Sequence, residues 1–297
     1  MSGRIATVAG ALLLALVVAA CSAKTGTGSL GTVPRSSSQV DVLYAGSLVD
    51  VMTNTVGPAF EKATGYTFVG YSDGSTALAS DIRGRVKQGD VFVSASPSAD
   101  TSLEGSANGA WVSWYATFAS TNLVLGYNPK SKFAGQLKTT PWYEVVGQPG
   151  FRLGFTDPAT DPKGMLAVST LNQAATKYHQ PALAEAAKLK NDQFAETALV
   201  GELQSGQLDA GFFYTVEATA ARVQTVGLAP LKVASPYTIT VLARAPHPAG
   251  ADAFVNFLLG TQGQALLSKL DLSVVTPPTV RGTGVPGALD SILHVSP

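Results

Sequence analysis

The hydrophobic positions of this chain form short runs that end at glycine or serine and are followed by longer amphipathic stretches. From Val40 onward, the first three runs are VDVLYAG, YTFVGY and DVFVSAS. Continuous apolar runs of this length are typical of buried strands, and the stretches between them show the spacing of helices. Strands that alternate with helices in this way predict an α/β fold with a mostly parallel sheet covered on both faces.

Two longer extended stretches, at 111–131 and 231–244, bracket a second set of strands and helices. This inner set contains the strand-like runs FRLGFTD and LDAGFFY and the helical patterns ETALVGELQSGQ and VEATAARVQTVG. After the second stretch, the pattern predicts one amphipathic helix, ADAFVNFLLGTQGQALLSKL, and a tail rich in proline and glycine.

We interpret the two extended stretches as places where the chain crosses between two lobes. Lobe 1 then comprises residues 40–122 plus 237–297, and lobe 2 comprises residues 123–236. Open α/β sheets bind ligands beyond the carboxyl ends of their strands, so the cleft between the lobes is the expected binding site. The two crossings would act as its hinge.

The N-terminus predicts export from the cytoplasm. In residues 1–20, Arg4 precedes an apolar run too short to span a bilayer, as in a signal peptide. The run ends in VAAC, which resembles a bacterial lipobox, so we expect Cys21, the single cysteine, to be lipidated and to anchor the protein to the membrane. The alternative is a secreted protein cleaved nearby. Residues 21–39 are rich in glycine, serine and threonine and predict a flexible tether.

Composition excludes several classes of function. Twenty basic residues balance 20 acidic ones, and no basic stripe indicates a nucleic-acid partner. The sequence contains no phosphate-binding loop or dinucleotide motif after a predicted strand, and its three histidines show no metal-ligand spacing. We therefore expect no cofactor.

Residues 70–74, GYSDG, match the G-x-S-x-G motif of serine hydrolases, with Ser72 as the candidate nucleophile. Such an enzyme needs a histidine base, and none of the three histidines follows a strand as a hydrolase histidine does. The upstream oxyanion-hole segment is also missing. A secreted serine hydrolase that uses Ser72 stays as the alternative function from a different class. A second alternative is that this segment is a strand-to-helix turn that binds no ligand.

Two strand-to-helix turns instead predict an anion site. Gly46-Ser47 and Gly74-Ser75 each stand where a strand ends and a helix begins. Glycine lets the backbone approach a ligand closely, and the serine hydroxyl and free amides at a helix start favour negative charge. A serine in this place often serves simply as a helix cap, but two such turns on adjacent units favour a ligand.

Three residues of the inner set complete the candidate site. Asp161 lies in FTDPATDPKG before a helix and could cap that helix instead, as could Asp157. Glu196 opens ETALVGELQSGQ, where an acidic side chain stabilises a helix in any case. Tyr214 ends LDAGFFY and could direct its phenol into the cleft or belong to the core.

The order of VLYAGSL, the second Gly-Ser turn, FTDPATDPKG and SGQLDAGFFY resembles the molybdate/tungstate-binding proteins of ABC importers. The resemblance runs over nearly all of residues 40–285 and is strongest to the tungstate/molybdate branch best known from archaea. It implies a two-lobed periplasmic-binding-protein fold of type II, a membrane permease as partner, a monomer, and no enzymatic activity. The expected ligand is tungstate or molybdate; another oxyanion or a small anionic solute is the alternative.

By the same resemblance, Ser47 and Ser75 donate to the oxygens of the anion, and Tyr214 adds a hydrogen bond. Asp161 and Glu196 match two acids that complete an octahedral shell around molybdenum or tungsten. Carboxylates beside a dianion repel it by several kcal/mol at about 4 Å, so they favour binding only if they bond the metal centre or are protonated. Lys163 departs from the branch and could pair with Asp161 or bind the anion itself.

Overall fold

The computed structural model describes residues 38–295. The predicted signal peptide, Cys21 and nearly all of the tether lie outside the described residues. The strands are β1 Gln39–Ala45, β2 Thr67–Asp73, β3 Val91–Ser94, β4 Trp114–Tyr127, β5 Leu153–Thr156, β6 Gln193–Phe194, β7 Ala210–Tyr214, β8 Gln224–Gly227, β9 Ala234–Val241 and β10 Ser273–Gly282.

The α-helices of the described residues follow the predicted alternation with the strands. They are α1 Val49–Val51, α2 Gly57–Thr64, α3 Ser75–Arg83, α4 Pro97–Thr101, α5 Ala134–Leu137, α6 Trp142–Val146, α7 Pro162–Lys177, α8 Pro181–Ala186, α9 Leu199–Gln204, α10 Thr215–Ala220, α11 Pro248–Leu259, α12 Thr261–Ser268 and α13 Asp290–Leu293. A π-helical segment, Met52–Val56, joins α1 to α2, and a 3₁₀ turn, Gly46–Leu48, follows β1. Within residues 38–295, no helix combines the length and apolar character that crossing a membrane requires.

One mixed sheet runs through the described part of the chain in the order β2-β1-β3-β9-β4-β7-β5-β6, and β8 and β10 also pair with β4. The β1 strand is parallel to β2 and β3, and β5 is parallel to β6 and β7. The two extended stretches of the sequence are β4 and β9, which pair antiparallel to each other. The sheet is therefore parallel near its two edges and antiparallel in the middle.

The long strand β4 changes partners along its length. Its residues up to Asn122 pair with β9, and those from Leu123 onward pair with β7. The β10 and β8 strands pair with the earlier and later parts of β4, respectively. The lobe boundaries drawn from the sequence stay a prediction.

Three local expectations were wrong. VEATAARVQTVG is not one helix, because α10 ends at Ala220 and Gln224–Gly227 pairs with β4 as a strand. The last predicted helix is two helices, broken at Gly260, whose backbone is extended. The tail contains β10, which pairs with β4 across a register shift. A strand with two consecutive prolines lacks the usual alternation of strands, and its pairing comes from a distant strand.

The core consists of aliphatic and aromatic side chains between the sheet and its helices. On one side, Phe60 of α2 packs edge-to-face on Phe254 of α11, with ring centroids 5.3 Å apart. On the other, Trp142 packs edge-to-face on Phe212 of β7, and its indole donates to the carbonyl of Leu228 at 3.1 Å. The first contact joins two helices, and the second fixes α6 to β7, whose carboxyl end leads to the candidate site.

We expect Gly164→Ala to destabilise the fold by about 2–3 kcal/mol, as overpacking typically does. A Cβ atom at Gly164 would overlap the backbone carbonyl of Thr156 and lie 2.8 Å from the nitrogen of Pro158. The matched control is Gly201→Ala in α9, where nothing lies within 4 Å of the added methyl group. That change should stabilise the helix by roughly 0.5–1 kcal/mol. Urea unfolding of both variants tests the contrast, and equal stabilities would show that α7 can move away from β5.

Candidate functional site

The two predicted Gly-Ser turns lie at the carboxyl ends of β1 and β2. Ser47 lies in the 3₁₀ turn after β1, is buried, and shares a 2.7 Å hydrogen bond with the phenol of Tyr237. Ser75 is the first residue of α3, is fully buried, and accepts a 3.0 Å hydrogen bond from the amide of Ala95. Each hydroxyl has a protein partner, and Ser75, which accepts its bond, keeps its own O–H available to donate.

Asp161 caps the N-terminus of α7, as the sequence allowed. Its Oδ1 atom accepts from the hydroxyl of Thr156 at 2.6 Å and from the amides of Lys163 and Gly164 at 3.0 and 3.4 Å. Within residues 38–295, the structure shows no hydrogen bond to the Oδ2 atom of Asp161. Burial raises the pKa of the Asp161 carboxyl group, although the Lys163 ammonium opposes the shift. Capping by one oxygen therefore leaves the other available to a ligand.

Glu196 precedes α9, which begins at Leu199, and does not open the helix as the sequence indicated. Its buried carboxyl group lies against Gly46, where a Cβ atom would overlap Oε2. Burial raises the pKa of Glu196 to about 8, with the Lys163 ammonium opposing. The glycine of the first turn thus makes room for the acid, as close backbone approach requires.

The second turn contacts the Asp161 segment in the same way. A Cβ atom at Gly74 would overlap the carbonyl of Thr160 and lie 3.1 Å from Cβ of Asp161. The amide of Ala77 in α3 donates to the Thr160 carbonyl at 3.0 Å. Both Gly-Ser turns therefore lie directly against an acid from the inner set.

Tyr214 ends β7, and its side chain is 1% exposed. Its phenol oxygen is buried and has no hydrogen bond of ordinary geometry among residues 38–295. The nearby Ser235 hydroxyl donates to the carbonyl of Ala95 at 2.7 Å. Burial raises the pKa of the Tyr214 phenol, and the neighbouring Asp161 carboxylate raises it further. A buried phenol without a partner is costly, so this atom needs an explanation.

Two functional candidates, Glu217 and Tyr237, were not assigned from the sequence. Glu217 lies in α10, three residues after Tyr214, and the buried Lys163 ammonium contacts it at 2.5 Å and Glu196 at 3.0 Å. Tyr237 of β9 holds Ser47 and packs edge-to-face on Tyr214. Glu217 resembles an ordinary first-turn acid of a helix, and Tyr237 one of several strand tyrosines, so neither stands out in the sequence.

Burial governs the charges of this cluster. It raises the pKa of the Glu217 carboxyl group, as it does for Asp161 and Glu196. For Lys163, burial alone lowers the pKa, but Glu196 and Glu217 outweigh it and raise the pKa above its ordinary value. The lysine therefore stays protonated, and each of the three buried acids holds its proton more strongly than a solvent-exposed acid does.

A cavity of about 220 Å³ adjoins the cluster and is lined by residues that include Gly46, Ser47, Glu196 and Glu217. A larger cavity of about 490 Å³ contains Ala59 and Phe257 in its lining and none of the predicted site residues. The five predicted residues lie in one buried, connected cluster, and two of them, Ser47 and Glu196, line this small cavity. Their roles toward a ligand stay predictions.

Among residues 38–295, the structure shows no catalytic arrangement around Ser72, the nucleophile of the hydrolase alternative. Ser72 lies in β2, and no histidine among residues 38–295 has a recorded hydrogen bond to it. His247 instead contacts the buried carboxylate of Asp90 at 2.9 Å through Nδ1, and its amide donates to the same carboxylate. This imidazole is part of a contact between the start of β3 and the N-terminus of α11.

Comparison with known proteins yields consistent matches. The model of the family described as bacterial extracellular solute-binding protein matches residues 40–269. An uncharacterised solute-binding protein of Petrotoga mobilis is 25% identical over 288 residues, covering 84% of this chain and 88% of that protein. The molybdate/tungstate-binding protein WtpA of Pyrococcus abyssi is 25% identical over 238 residues, covering 62% and 69% of the two chains.

Among solved structures, the periplasmic molybdate-binding protein of Azotobacter vinelandii superimposes with a TM-score of 0.59 at 18% identity. The match covers 80% of this chain and 99% of that one. At this identity the likeness concerns the fold, and it confirms the periplasmic-binding-protein fold predicted from the sequence.

Proposed function

Because the chain belongs to the bacterial extracellular solute-binding protein family, we propose that it captures tungstate or molybdate and delivers it to the permease of an ABC importer. The family consists of binding proteins, so the chain is not an enzyme and the Ser72 hydrolase alternative is wrong. In the proposed function, the anion lies among Ser47, Ser75, Asp161 and Tyr214. Relatives with molybdate or tungstate in their names support this choice of ligand.

The observation that carries the proposal is the buried phenol of Tyr214, which lacks a hydrogen-bond partner within residues 38–295. A donor with no acceptor in the protein is satisfied when an oxyanion supplies one. The hydroxyls of Ser47 and Ser75 and the first amides of α3 provide further donors in the same region. Hydrogen bonds to a charged ligand contribute roughly 1.5–3 kcal/mol each, so a few of them support tight binding.

The buried acids near the site, Asp161, Glu196 and Glu217, determine which oxyanion is bound favourably. Two unit charges of the same sign 4 Å apart repel by about 4 kcal/mol at an effective dielectric constant of 20. Carboxyl groups near a dianion are therefore favourable only when they are protonated and donate, or when an oxygen bonds the central atom. Molybdenum and tungsten accept additional oxygen ligands, and the sulfur of sulfate does not. Oδ2 of Asp161 is the candidate for such a bond, with Glu196 or Glu217 as the second acid.

Thermal unfolding with added anions tests the proposal. Tungstate, molybdate, sulfate, phosphate and citrate are compared at equal ionic strength. A ligand at about 100 times its dissociation constant adds about 2.7 kcal/mol of stability, a shift on the order of 5–10 °C for a chain of this size. We expect this shift with tungstate and molybdate. A shift with sulfate, phosphate or citrate instead would keep a binding protein of this fold and reject the proposed ligand.

Tyr214→Phe should weaken tungstate binding about tenfold and leave the ligand-free protein as stable as before, or up to about 1 kcal/mol more stable. The change removes a buried hydroxyl that has no partner in the described residues of the free protein. The matched control is Tyr237→Phe, which breaks the 2.7 Å bond to Ser47 and should destabilise the free protein by about 1 kcal/mol. Calorimetric titration and unfolding measure both effects, and unchanged tungstate affinity in Tyr214→Phe would remove the phenol from the site.

A further inference from the structure

Lys163 is a charged side chain with no exposure at all, which is rare for lysine. Its ammonium donates to Oε1 of Glu196 at 3.0 Å and to Oε2 of Glu217 at 2.5 Å. Both carboxyl groups are themselves buried. A single ammonium therefore joins two acids that come from different segments of the chain, one before α9 and one within α10.

The position of the ammonium relative to the cavity shows how it acts. Glu196 and Glu217 belong to the lining of the 220 Å³ cavity, and Lys163 does not. The two glutamates thus border the cavity, and the ammonium contacts their carboxyl groups from outside its lining. The third acid, Asp161, caps α7 through backbone amides and the hydroxyl of Thr156.

Without a cation, two buried carboxylates in this arrangement would repel each other and any incoming anion. A paired ammonium removes most of that repulsion and fixes both side chains by hydrogen bonds, as buried charges require. Lysine provides three N–H donors, and two of them are used here. Its contribution to binding therefore passes through the two glutamates.

We propose that Lys163 is a positioning residue of the binding site, which holds Glu196 and Glu217 at the cavity wall and balances their charge so that an oxyanion can enter. This inference rests on the proposed function, since it assigns a role in binding an oxyanion at the same site.

The test is a double-mutant cycle of Lys163→Met and Glu217→Gln, with sodium tungstate as the probe in calorimetric titration. Lys163→Met removes the ammonium that pairs with both glutamates and should weaken tungstate binding at least 30-fold. In the double variant, the loss of one charge of each sign restores the charge balance, so tungstate should bind at least tenfold more tightly than in Lys163→Met. Relative to Glu217→Gln alone, the double variant should lose less than fivefold. Circular dichroism melting confirms that each variant is folded.

Three results would overturn the inference. Wild-type affinity in Lys163→Met would show that the ammonium has no role in binding, while the proposed function would stand. A loss of 30-fold or more between Glu217→Gln and the double variant would show that Lys163 acts independently of Glu217, and this comparison decides the matter even if Lys163→Met fails to fold. No binding of tungstate or molybdate by the wild-type protein would reject both the proposed function and this inference.

Discussion

Asp161→Asn is expected to weaken tungstate binding at least about 100-fold, a loss of about 2.7 kcal/mol, and to weaken sulfate binding less than tenfold. Asparagine is as good a helix cap as aspartate, so its side-chain oxygen can keep the hydrogen bonds that Oδ1 of Asp161 accepts. The second oxygen, Oδ2, becomes an amide nitrogen, which cannot bond a tungsten centre. The change therefore separates the role of Asp161 in capping from its role in coordination.

The matched control is Asp157→Asn, which alters the other acid of the same Asp-Pro loop. Asp157 accepts a hydrogen bond from the amide of Ala159 at 2.8 Å, is partly exposed, and should have little effect on either anion. Titration of tungstate and sulfate into both variants provides the measurement. Equal losses for the two anions in Asp161→Asn would contradict direct bonding to the central atom and leave Asp161 as a structural residue.

The parts of the fold that depend on local pattern could be predicted from the sequence. The runs VDVLYAG, YTFVGY and DVFVSAS became β1, β2 and β3. The β1 and β3 strands are largely buried and apolar, as strands covered on both faces must be, whereas β2 is a mostly exposed strand at the edge of the sheet. The two extended stretches became β4 and β9. Glycine followed by serine identified both turns because close approach of the backbone requires glycine. These features depend on neighbouring residues alone, and the sequence shows them directly.

The features that depend on distant partners could not be predicted. The segments β8 and β10 are strands because they pair with β4. Their own sequences show only a weak alternation of apolar and polar residues. Glu217 belongs to the site because α10, which follows β7, lies next to the start of α7. There the ammonium of Lys163 contacts the Glu217 carboxyl group. In the sequence, 54 positions separate the lysine from this glutamate. A charge pair of this kind leaves no local pattern, and only the fold reveals that Lys163 contacts glutamates and does not stand free as an anion donor.

Asp100→Asn is expected to stabilise the protein at pH 8.5 by roughly 2–3 kcal/mol and to change its stability at pH 5 by less than about 1 kcal/mol. The side chain of Asp100 is fully buried in α4, and its Oδ2 accepts a hydrogen bond from Thr238 of β9 at 2.5 Å. Its Oδ1 has no partner within residues 38–295. Burial raises the pKa of this carboxyl group from 3.8 to about 8, and the bond from Thr238 opposes the shift.

The direction of the pH effect follows from proton binding. Between about pH 4 and pH 8, the folded protein keeps the Asp100 proton and the unfolded chain releases it. The folded state then binds more protons, so the contribution of Asp100 to the free energy of unfolding decreases as pH rises and is lost above about pH 8. Asparagine has no such proton, and its amide can take the place of the protonated carboxyl group. The difference in stability between the two proteins should therefore grow with pH.

Urea unfolding of the wild-type protein and Asp100→Asn at intervals from pH 5 to pH 9 measures this difference. Comparison of the two proteins cancels the titration of Asp161, Glu196 and Glu217, which both contain. Asp271→Asn provides the control, because its side chain is exposed and accepts a hydrogen bond from the hydroxyl of Thr219. That variant should follow the wild-type pH dependence. A constant difference between Asp100→Asn and the wild type across the range would show that Asp100 is ionised in the folded protein despite its burial between α4 and β9.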